Sequence, residues 1–223
     1  MAQAMIMAGE VSNKTSKLTK PGQTFEADIE LQIADRPRYV SRGGDKLASV
    51  AEKLGLNFED AVVLDVGSST GGFTDYALQH GAKKVYAVDV GTNQLAYKLR
   101  NDDRVVVMEQ IDIRDIDVHL LDPTPQIAVI DVSFISLTKI LDSVAKLITD
   151  SGQIVAMAKP QFETDKPTAD KHKGIIKDEK LRAQILADFE AKIDGHFEIV
   201  AKEDSEVTGA QGNIERFYQL RNG

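Results

Sequence analysis

Apolar residues recur along the chain in short, nearly continuous runs that predict buried strands. Five of these runs occupy the middle of the sequence: AVVLDV at 61–66, VYAVDV at 85–90, RVVVM at 104–108, QIAVID at 126–131 and QIVAMA at 153–158. Such runs are typical of parallel strands that are covered on both faces. Two further runs, FEIVAK and RFYQL, follow near the end of the chain. The connection between them is too short for a crossover helix, so the last strand is expected to run antiparallel to its neighbour.

Helical periodicity fills several gaps between these runs. The apolar residues of 47–54 are spaced i, i+3, i+4 and i+7, which marks one face of an amphipathic helix. A second stripe runs over 137–148 with Ser136 as its N-cap, and a third runs over 181–193 with Asp178 at its start. Strands that alternate with helices predict an α/β fold with an open, doubly wound sheet.

The terminal antiparallel strand makes the fold prediction more specific. A Rossmann-like, mostly parallel sheet that ends in an antiparallel strand is the shape of S-adenosylmethionine-dependent methyltransferases, whereas dinucleotide enzymes usually keep a wholly parallel sheet. Ligands of such sheets bind beyond the carboxyl ends of the strands. The first residues differ from the rest, with a Pro-Gly turn and an alternating segment at 25–33 that predicts a small strand. We therefore expect two parts, residues 1–36 and residues 37–223.

Composition and charge narrow the classes of function. The chain has 223 residues, a formal net charge of -8 and no cysteine, so neither disulfides nor a thiolate metal site is expected, and no metal is predicted. No signal peptide and no apolar run of about 20 residues is present, which favours a cytoplasmic protein without membrane contact. An acidic chain is a poor non-specific binder of polyanions, so contact with nucleic acid requires a local basic patch or an accessory module.

The segment LDVGSSTGGF follows the first long strand and has the form of a cofactor-binding turn. Gly67, Gly71 and Gly72 resemble a dinucleotide fingerprint, but Ser69 occupies the position where a glycine lets the backbone approach a pyrophosphate. This substitution weakens the NAD interpretation and favours S-adenosylmethionine, which has no pyrophosphate.

Three acids end the first three strands of this region. We expect Asp65 to reach the methionine ammonium directly or through water, Asp89 to bind the ribose diol and Asp112 to contact the adenine amino group. The alternative is that Asp65 and Asp89 are only helix-capping or turn residues.

Four charged residues are brought by topology to the edge where the cofactor is expected. Asp131 and Lys159 end the fourth and fifth strands, Glu215 begins the last, antiparallel strand, and Lys46 lies at the start of the first helix. Each residue by itself has a structural explanation, such as a helix cap or a solvated charge. Together they suit methyl transfer to a hydroxyl, because a lysine can act as a general base when burial or a nearby cation lowers its pKa. We expect Lys159 to be that base and Lys46 the nearby cation, with the two acids orienting them.

The sequence resembles the TlyA-type proteins, which are FtsJ-like ribose methyltransferases that also carry an old haemolysin label. Six motifs in order, spread over nearly the whole chain, carry the resemblance: YVSRGGDKL, LDVGSSTGGFTD, AVDVG, DVSFISL, KPQFE and GNIERF. The resemblance implies transfer of a methyl group from S-adenosylmethionine to cytidine 2′-hydroxyls of ribosomal RNA, on the RNA or on ribosomal subunits. It also implies a catalytic tetrad at Lys46, Asp131, Lys159 and Glu215, and cofactor contacts at Asp65, Gly67, Ser68, Ser69, Gly71, Gly72, Phe73, Asp89, Asp112 and Asp131.

The family also has an S4 RNA-binding module before the methyltransferase domain. Residues 1–36 are expected to be the second half of such a module. An incomplete module leaves open whether the chain binds ribosomal RNA with full affinity. The basic residues available to contact RNA are Arg36, Arg38, Arg42, Lys166, Lys171, His172, Lys173 and Lys177, the last five in a predicted lid loop at 161–177. Three alternatives remain: a catalytically idle RNA or ribosome binder, a pore-forming haemolysin, and an NAD-dependent oxidoreductase.

Overall fold

The structure, a computed structural model, describes residues 2–33 and 37–223. They belong to two compact units, Met1–Arg38 and Tyr39–Gly223. The predicted boundary follows Arg36, which lies outside the described residues. The assignment of the first part to an S4-like module stays a prediction. Within the described ranges, no helix is long and apolar enough to cross a membrane.

The first unit contains a short helix and a small antiparallel sheet in which the first strand pairs with the other two. Val11 and Leu18 are its buried apolar residues. The strand predicted over 25–33 is wrong except for its last two residues, because the preceding segment forms a turn with Phe25 exposed. The elements are α1 (Ala2–Met7), β1 (Val11–Ser12), β2 (Lys17–Leu18) and β3 (Gln32–Ile33).

The second unit is built on a seven-stranded sheet, and all seven strands predicted for it are present. The strands are β4 (Val62–Val66), β5 (Lys84–Asp89), β6 (Val105–Glu109), β7 (Ile127–Ile130), β8 (Gln153–Ala158), β9 (Phe197–Asp204) and β10 (Arg216–Asn222). Their order is β6-β5-β4-β7-β8-β10-β9. Strands β4 to β8 are parallel, and β10 is antiparallel to both β8 and β9. This confirms the α/β prediction and the terminal antiparallel strand.

Helices cover both faces of this sheet. They are α2 (Arg42–Ala51), α3 (Gly72–Gln79), α4 (Tyr97–Arg100), α5 (Leu141–Ala145), α6 (Pro160–Glu163), α7 (Lys166–Lys171) and α8 (Glu179–Ile193). Alternate residues of β4 point to opposite faces: Leu64 packs in a core with Phe189 of α8, and Val63 packs in a second core with Leu47 of α2. The near-continuous apolar strands thus follow from burial on both faces.

Two local predictions are wrong. The stripe over 137–148 does not form one helix: a 3₁₀ turn at Leu137–Lys139 is followed by the short α5. The buried Glu163 of α6 accepts hydrogen bonds from the Leu137 amide (2.9 Å) and the Ser136 hydroxyl (2.6 Å), which fixes the turn from outside the segment. The segment 161–177, predicted as a loop, contains most of α6 and all of α7. Helix α8 begins after the predicted cap, Asp178, whose carboxylate accepts from two amides of the first turn.

Candidate active site

A cavity of about 360 Å³ lies at the carboxyl ends of the parallel strands, where ligands of such sheets bind. Its walls are largely apolar, with Val88, Ile113 and Ile140 among the lining residues. Five of the predicted cofactor residues line it: Gly67, Ser69, Asp89, Asp112 and Asp131. The cavity therefore combines an apolar body with a few carboxylates at its rim.

The turn after β4 forms one wall of this cavity. Gly67 has φ +80°, and a Cβ built on it would lie 2.5 Å from the carbonyl oxygen of Asp131, so only glycine fits there. Ser69 also has positive φ, at +47°. The Asp89 carboxylate accepts from the backbone amides of Ser69 and Gly91, at 2.7 Å each. Asp89 thus holds the turn in shape and still has acceptor capacity for a ligand.

Five other predicted cofactor residues lie outside the cavity lining: Asp65, Ser68, Gly71, Gly72 and Phe73. A Cβ on Gly71 would lie 2.3 Å from Leu99, and one on Gly72 would lie 2.4 Å from the Ser41 hydroxyl. The ring of Phe73 packs on Phe217, 5.9 Å between centroids. Packing is therefore the contribution to the turn that the structure shows for Gly71, Gly72 and Phe73. Their place in the motif could not distinguish such packing from direct contact with the cofactor.

Asp65 is fully buried (0% exposed) at the end of β4. One oxygen, Oδ2, accepts from the amide (2.9 Å) and the hydroxyl (2.6 Å) of Thr74 in the first turn of α3. The other, Oδ1, has no hydrogen-bond partner among the described residues. Burial, with smaller repulsion from Asp131 and Asp89, raises the pKa of Asp65 to about 7. Asp65 therefore acts as a capping residue for α3, and its role toward a cofactor stays a prediction.

The Asp112 carboxylate is already engaged. It caps a 3₁₀ turn through the Arg114 amide (3.0 Å) and pairs with the Arg114 guanidinium at 2.6 Å. This pairing and the backbone bond lower the pKa of Asp112 to about 2. The residue lines the cavity, as predicted, but its acid group is held by its own neighbour.

Two lysine–carboxylate pairs lie at this same edge. The Lys159 ammonium is 2.6 Å from Asp131 Oδ1 and donates to the Ser133 hydroxyl at 2.9 Å. The Lys46 ammonium is 2.8 Å and 3.0 Å from the two carboxylate oxygens of Glu215. Both lysines are largely buried, with side chains 11% and 12% exposed.

Strand register places the two pairs side by side. Arg216 of β10 pairs with Ala158 of β8, so the next residues outward, Glu215 and Lys159, lie opposite each other. Asp131 follows β7, the parallel neighbour of β8. The four predicted residues are therefore assembled by three adjacent strands and the middle of α2, because α2 begins at Arg42, four residues before Lys46.

Phe134 is a feature of the site that sequence reasoning did not single out. Its side chain is 92% exposed and its backbone has φ +65°, a rare conformation for an aromatic residue. It lines the cavity, and its ring centroid lies 5.2 Å from that of Phe162 on α6. The motif DVSF contained the signal, since an aromatic residue directly after a strand-end acid and a serine lies at the ligand edge.

The basic residues proposed for RNA contact differ in their exposure and their hydrogen bonding. Arg42 donates to the carbonyl of Thr208. Arg38, Lys166, Lys171, Lys173 and Lys177 are exposed, His172 is half-buried, and Arg36 lies outside the described residues.

Comparison with known proteins identifies the relatives of this chain. The family model described as FtsJ-like methyltransferase matches residues 39–222. The chain is 44% identical to Hemolysin A of Brachyspira hyodysenteriae over 96% of this chain and 90% of that protein. It is 35% identical to the 16S/23S rRNA (cytidine-2'-O)-methyltransferase TlyA of Mycobacterium tuberculosis over 99% of this chain and 83% of that protein.

Solved structures agree with the fold. A protein from Streptococcus thermophilus, described as a candidate haemolysin, has a TM-score of 0.78 and 42% identity, covering 99% of this chain and 82% of that one. A Listeria monocytogenes protein, described as a candidate S-adenosylmethionine-dependent methyltransferase, has a TM-score of 0.55 and 19% identity, covering 80% and 100%. The second likeness concerns the fold alone.

Proposed function

Because the chain belongs to the FtsJ-like methyltransferase family, we propose that it methylates ribose 2′-hydroxyls of ribosomal RNA. Cytidine is the proposed nucleoside, since relatives from Mycobacterium tuberculosis and Campylobacter jejuni are named as cytidine-2'-O-methyltransferases. The observation that carries the proposal is the pair of buried lysine–carboxylate contacts beside the strand-end cavity. A ribosomal substrate implies a cytoplasmic reaction.

As a member of this family the protein uses S-adenosylmethionine, and the residues present suit that cofactor. When bound, it supplies a sulfonium-activated methyl group. We propose that Asp89 binds the ribose diol. Asp65 does not itself line the cavity, but it directly precedes Val66 and Gly67, which do; we propose that its unpaired Oδ1 attracts the amino-acid ammonium, directly or through water, because a buried acceptor without a partner favours a cation. The apolar wall that includes Ile113 suits a purine ring. The turn at Gly67 and Ser69 closes the site from one side.

Lys159 is the proposed group that binds the target hydroxyl. A lysine ammonium has three donors; here one donates to the Ser133 hydroxyl, and Asp131 Oδ1 forms an ion pair with the ammonium at 2.6 Å. Held at this edge by Asp131 and Ser133, Lys159 Nζ is proposed to orient the target hydroxyl and to accept its proton. Glu215 neutralises Lys46, which adds a second donor to the same edge.

The aromatic pair beside this edge suits an unstacked nucleotide. Phe134 exposes its ring next to Phe162, and Lys159 Nζ lies 5.9 Å from the Phe162 ring centroid. Aromatic faces stack on bases of single-stranded RNA. We propose that the target ribose is presented to Lys159 with its base against this pair. Residues 1–36 remain the proposed S4-like contribution to RNA binding.

The test is methyl transfer from labelled S-adenosylmethionine to isolated ribosomal subunits, followed by mapping of the modified nucleotide. Lys159→Ala is expected to lower transfer by about 10²–10⁴-fold, the usual contribution of a general acid–base group. Lys159→Arg is expected to rescue little, because a guanidinium stays protonated. Lys53→Ala is the matched control, since Lys53 is an exposed lysine paired with Glu206.

Two results would contradict the proposal. Full transfer by Lys159→Ala would remove Lys159 from the reaction. Failure of the unchanged protein to methylate either subunit, while it binds RNA, would favour the idle binder. Because some relatives are named haemolysins, lysis of liposomes in the absence of any methyl transfer would favour that function.

A further inference from the structure

Asn213 lies two residues before Glu215 and is almost fully buried, at 4% exposure. Its side-chain oxygen accepts from the Ile176 amide and its side-chain nitrogen donates to the Gly174 carbonyl, both at 2.8 Å. Both halves of the amide are therefore used on one short piece of backbone. A buried amide that is satisfied in this way has a defined geometry, and losing it leaves two backbone groups without partners.

The backbone that Asn213 binds is the far end of a segment that begins at the active site. Residues 160–176, here called the strap, follow Lys159 directly and include α6 and α7. The strap carries Phe162 beside Lys159 and returns to Asn213 through Ile176, whose side chain is buried. One end of the strap thus lies next to the Lys159–Asp131 pair, and the other is bound to the turn that carries Glu215 before β10.

The turn that leads into β10 is packed tightly around the Glu215 carboxylate. The Asn213 carbonyl accepts from the Gly209 amide at 2.8 Å. A Cβ on Gly209 would lie 2.9 Å from Glu215 Oε1, so the backbone of this turn is in close contact with the acid. Arg182 of α8 donates to the Ile214 carbonyl at 3.0 Å. A shift of Asn213 therefore moves the wall against which Glu215 is placed.

We propose that Asn213 is a positioning residue that holds Glu215 on Lys46 by tying the strap to the turn before β10. The proposal rests on the proposed methyl transfer for its kinetic consequence, but the tie itself is a property of the folded chain. Asn213 does not line the cavity, and its side-chain hydrogen bonds go to Ile176 and Gly174. Its effect on the reaction is thus transmitted through Glu215.

Three measurements on Asn213→Ala test this role. The rate of amide hydrogen exchange at Ile176 is expected to rise by about tenfold or more, because its acceptor is lost. Lys46, protected by its contact with Glu215, is expected to react several-fold faster with an amine-acylating reagent, as read by mass spectrometry. Turnover is expected to fall by about 10–100-fold, the effect of a displacement on the order of 1 Å at a reacting group. The dissociation constant of S-adenosylhomocysteine is expected to stay within about twofold.

Matched variants separate positioning from general damage. Asn101→Ala removes an exposed amide that binds the Tyr97 carbonyl and is expected to change none of these readings. Asn213→Ser is the second variant if Asn213→Ala does not fold; its shorter polar side chain leaves a smaller void than the loss of every polar atom, and it is expected to change the same readings in the same direction. In the double variant with Glu215→Gln, the loss of Asn213 is expected to add little to the loss of turnover, because both act through one carboxylate.

Normal protection of Lys46 and normal turnover in a folded Asn213 variant would overturn the proposal. It would also be overturned if the double variant lost turnover by the product of the two single-variant losses, because the two residues would then act independently. If the unchanged protein does not methylate RNA, the proposed function fails by itself. The exchange of the Ile176 amide and the labelling of Lys46 then still decide whether Asn213 positions Glu215.

Discussion

Raising the pH from about 5.5 to about 7 is expected to tighten the binding of S-adenosylhomocysteine through the ionisation of Asp65. The carboxyl is fully buried and its Oδ1 has no partner among the described residues. Burial raises its pKa to about 7. Without a ligand the group is therefore largely protonated below neutral pH. A bound ammonium stabilises the ionised form, so ligand binding and proton release are linked.

The magnitude follows from the fraction of Asp65 that is ionised. With a pKa of about 7, about 3% is ionised at pH 5.5 and about half at pH 7. If only the ionised carboxylate binds the ammonium, affinity rises about 15-fold, or about 1.6 kcal/mol. The stability of the free protein has the opposite dependence. Because the folded-state pKa lies above the unfolded one, the unfolded chain ionises first, and stability falls as the pH rises from about 4 to about 7.

Isothermal titration calorimetry in two buffers of different ionisation enthalpy measures both the affinity and the protons released. The release is expected to approach one proton per ligand at about pH 5.5 and to decline above about pH 7. Methylthioadenosine, which lacks the amino-acid portion, is the control ligand and is expected to bind without this dependence. Asp65→Asn keeps an acceptor for Thr74 and is expected to bind weakly at all these pH values. Affinity that is flat with pH in the unchanged protein, with no proton release, would refute the reasoning.

Two further substitutions test the walls of the cavity. In thermal melts, Gly67→Ala is expected to lower the free energy of unfolding by at least about 2 kcal/mol more than Gly195→Ala does. Both glycines have positive φ, but of the two only Gly67 would place its added Cβ against a carbonyl oxygen, at 2.5 Å. Equal losses at the two glycines would mean that the contact with Asp131 is unimportant. Asp89→Ala is expected to weaken S-adenosylmethionine by about 1.5–3 kcal/mol per lost hydrogen bond in calorimetry, and an unchanged affinity would count against ribose binding there.

The sequence by itself determined the number of strands in the large sheet, their relative directions and the edge of the sheet at which the candidate site was expected. The apolar runs of β4, β5, β7 and β8 are buried on both faces, as their local hydrophobic pattern predicts. The run of β6 has the same pattern, but this edge strand is only partly buried. The direction of β10 followed from the length of the connection before it. Once these were known, topology placed Lys46, Asp131, Lys159 and Glu215 at one edge, because parallel strands end together and an antiparallel strand begins where they end.

The tertiary structure decided which groups meet. Lys46 pairs with Glu215 and Lys159 pairs with Asp131 because of the strand register and the position of α2. Both are set by contacts between residues that are far apart in the sequence. The same holds for the broken helix at 137–148, where the carboxylate of Glu163 overrides a local helical pattern.

The raised pKa of Asp65 and the hydrogen bonds of Asn213 also could not be predicted from the sequence. Neither residue differs in type from an exposed acid or amide, and no spacing marks the one as fully buried or the other as bound to Gly174 and Ile176. Burial and hydrogen-bond partners arise from the packing of several elements at once. Chemistry that depends on the loss of water around a charge is therefore decided only in the folded chain.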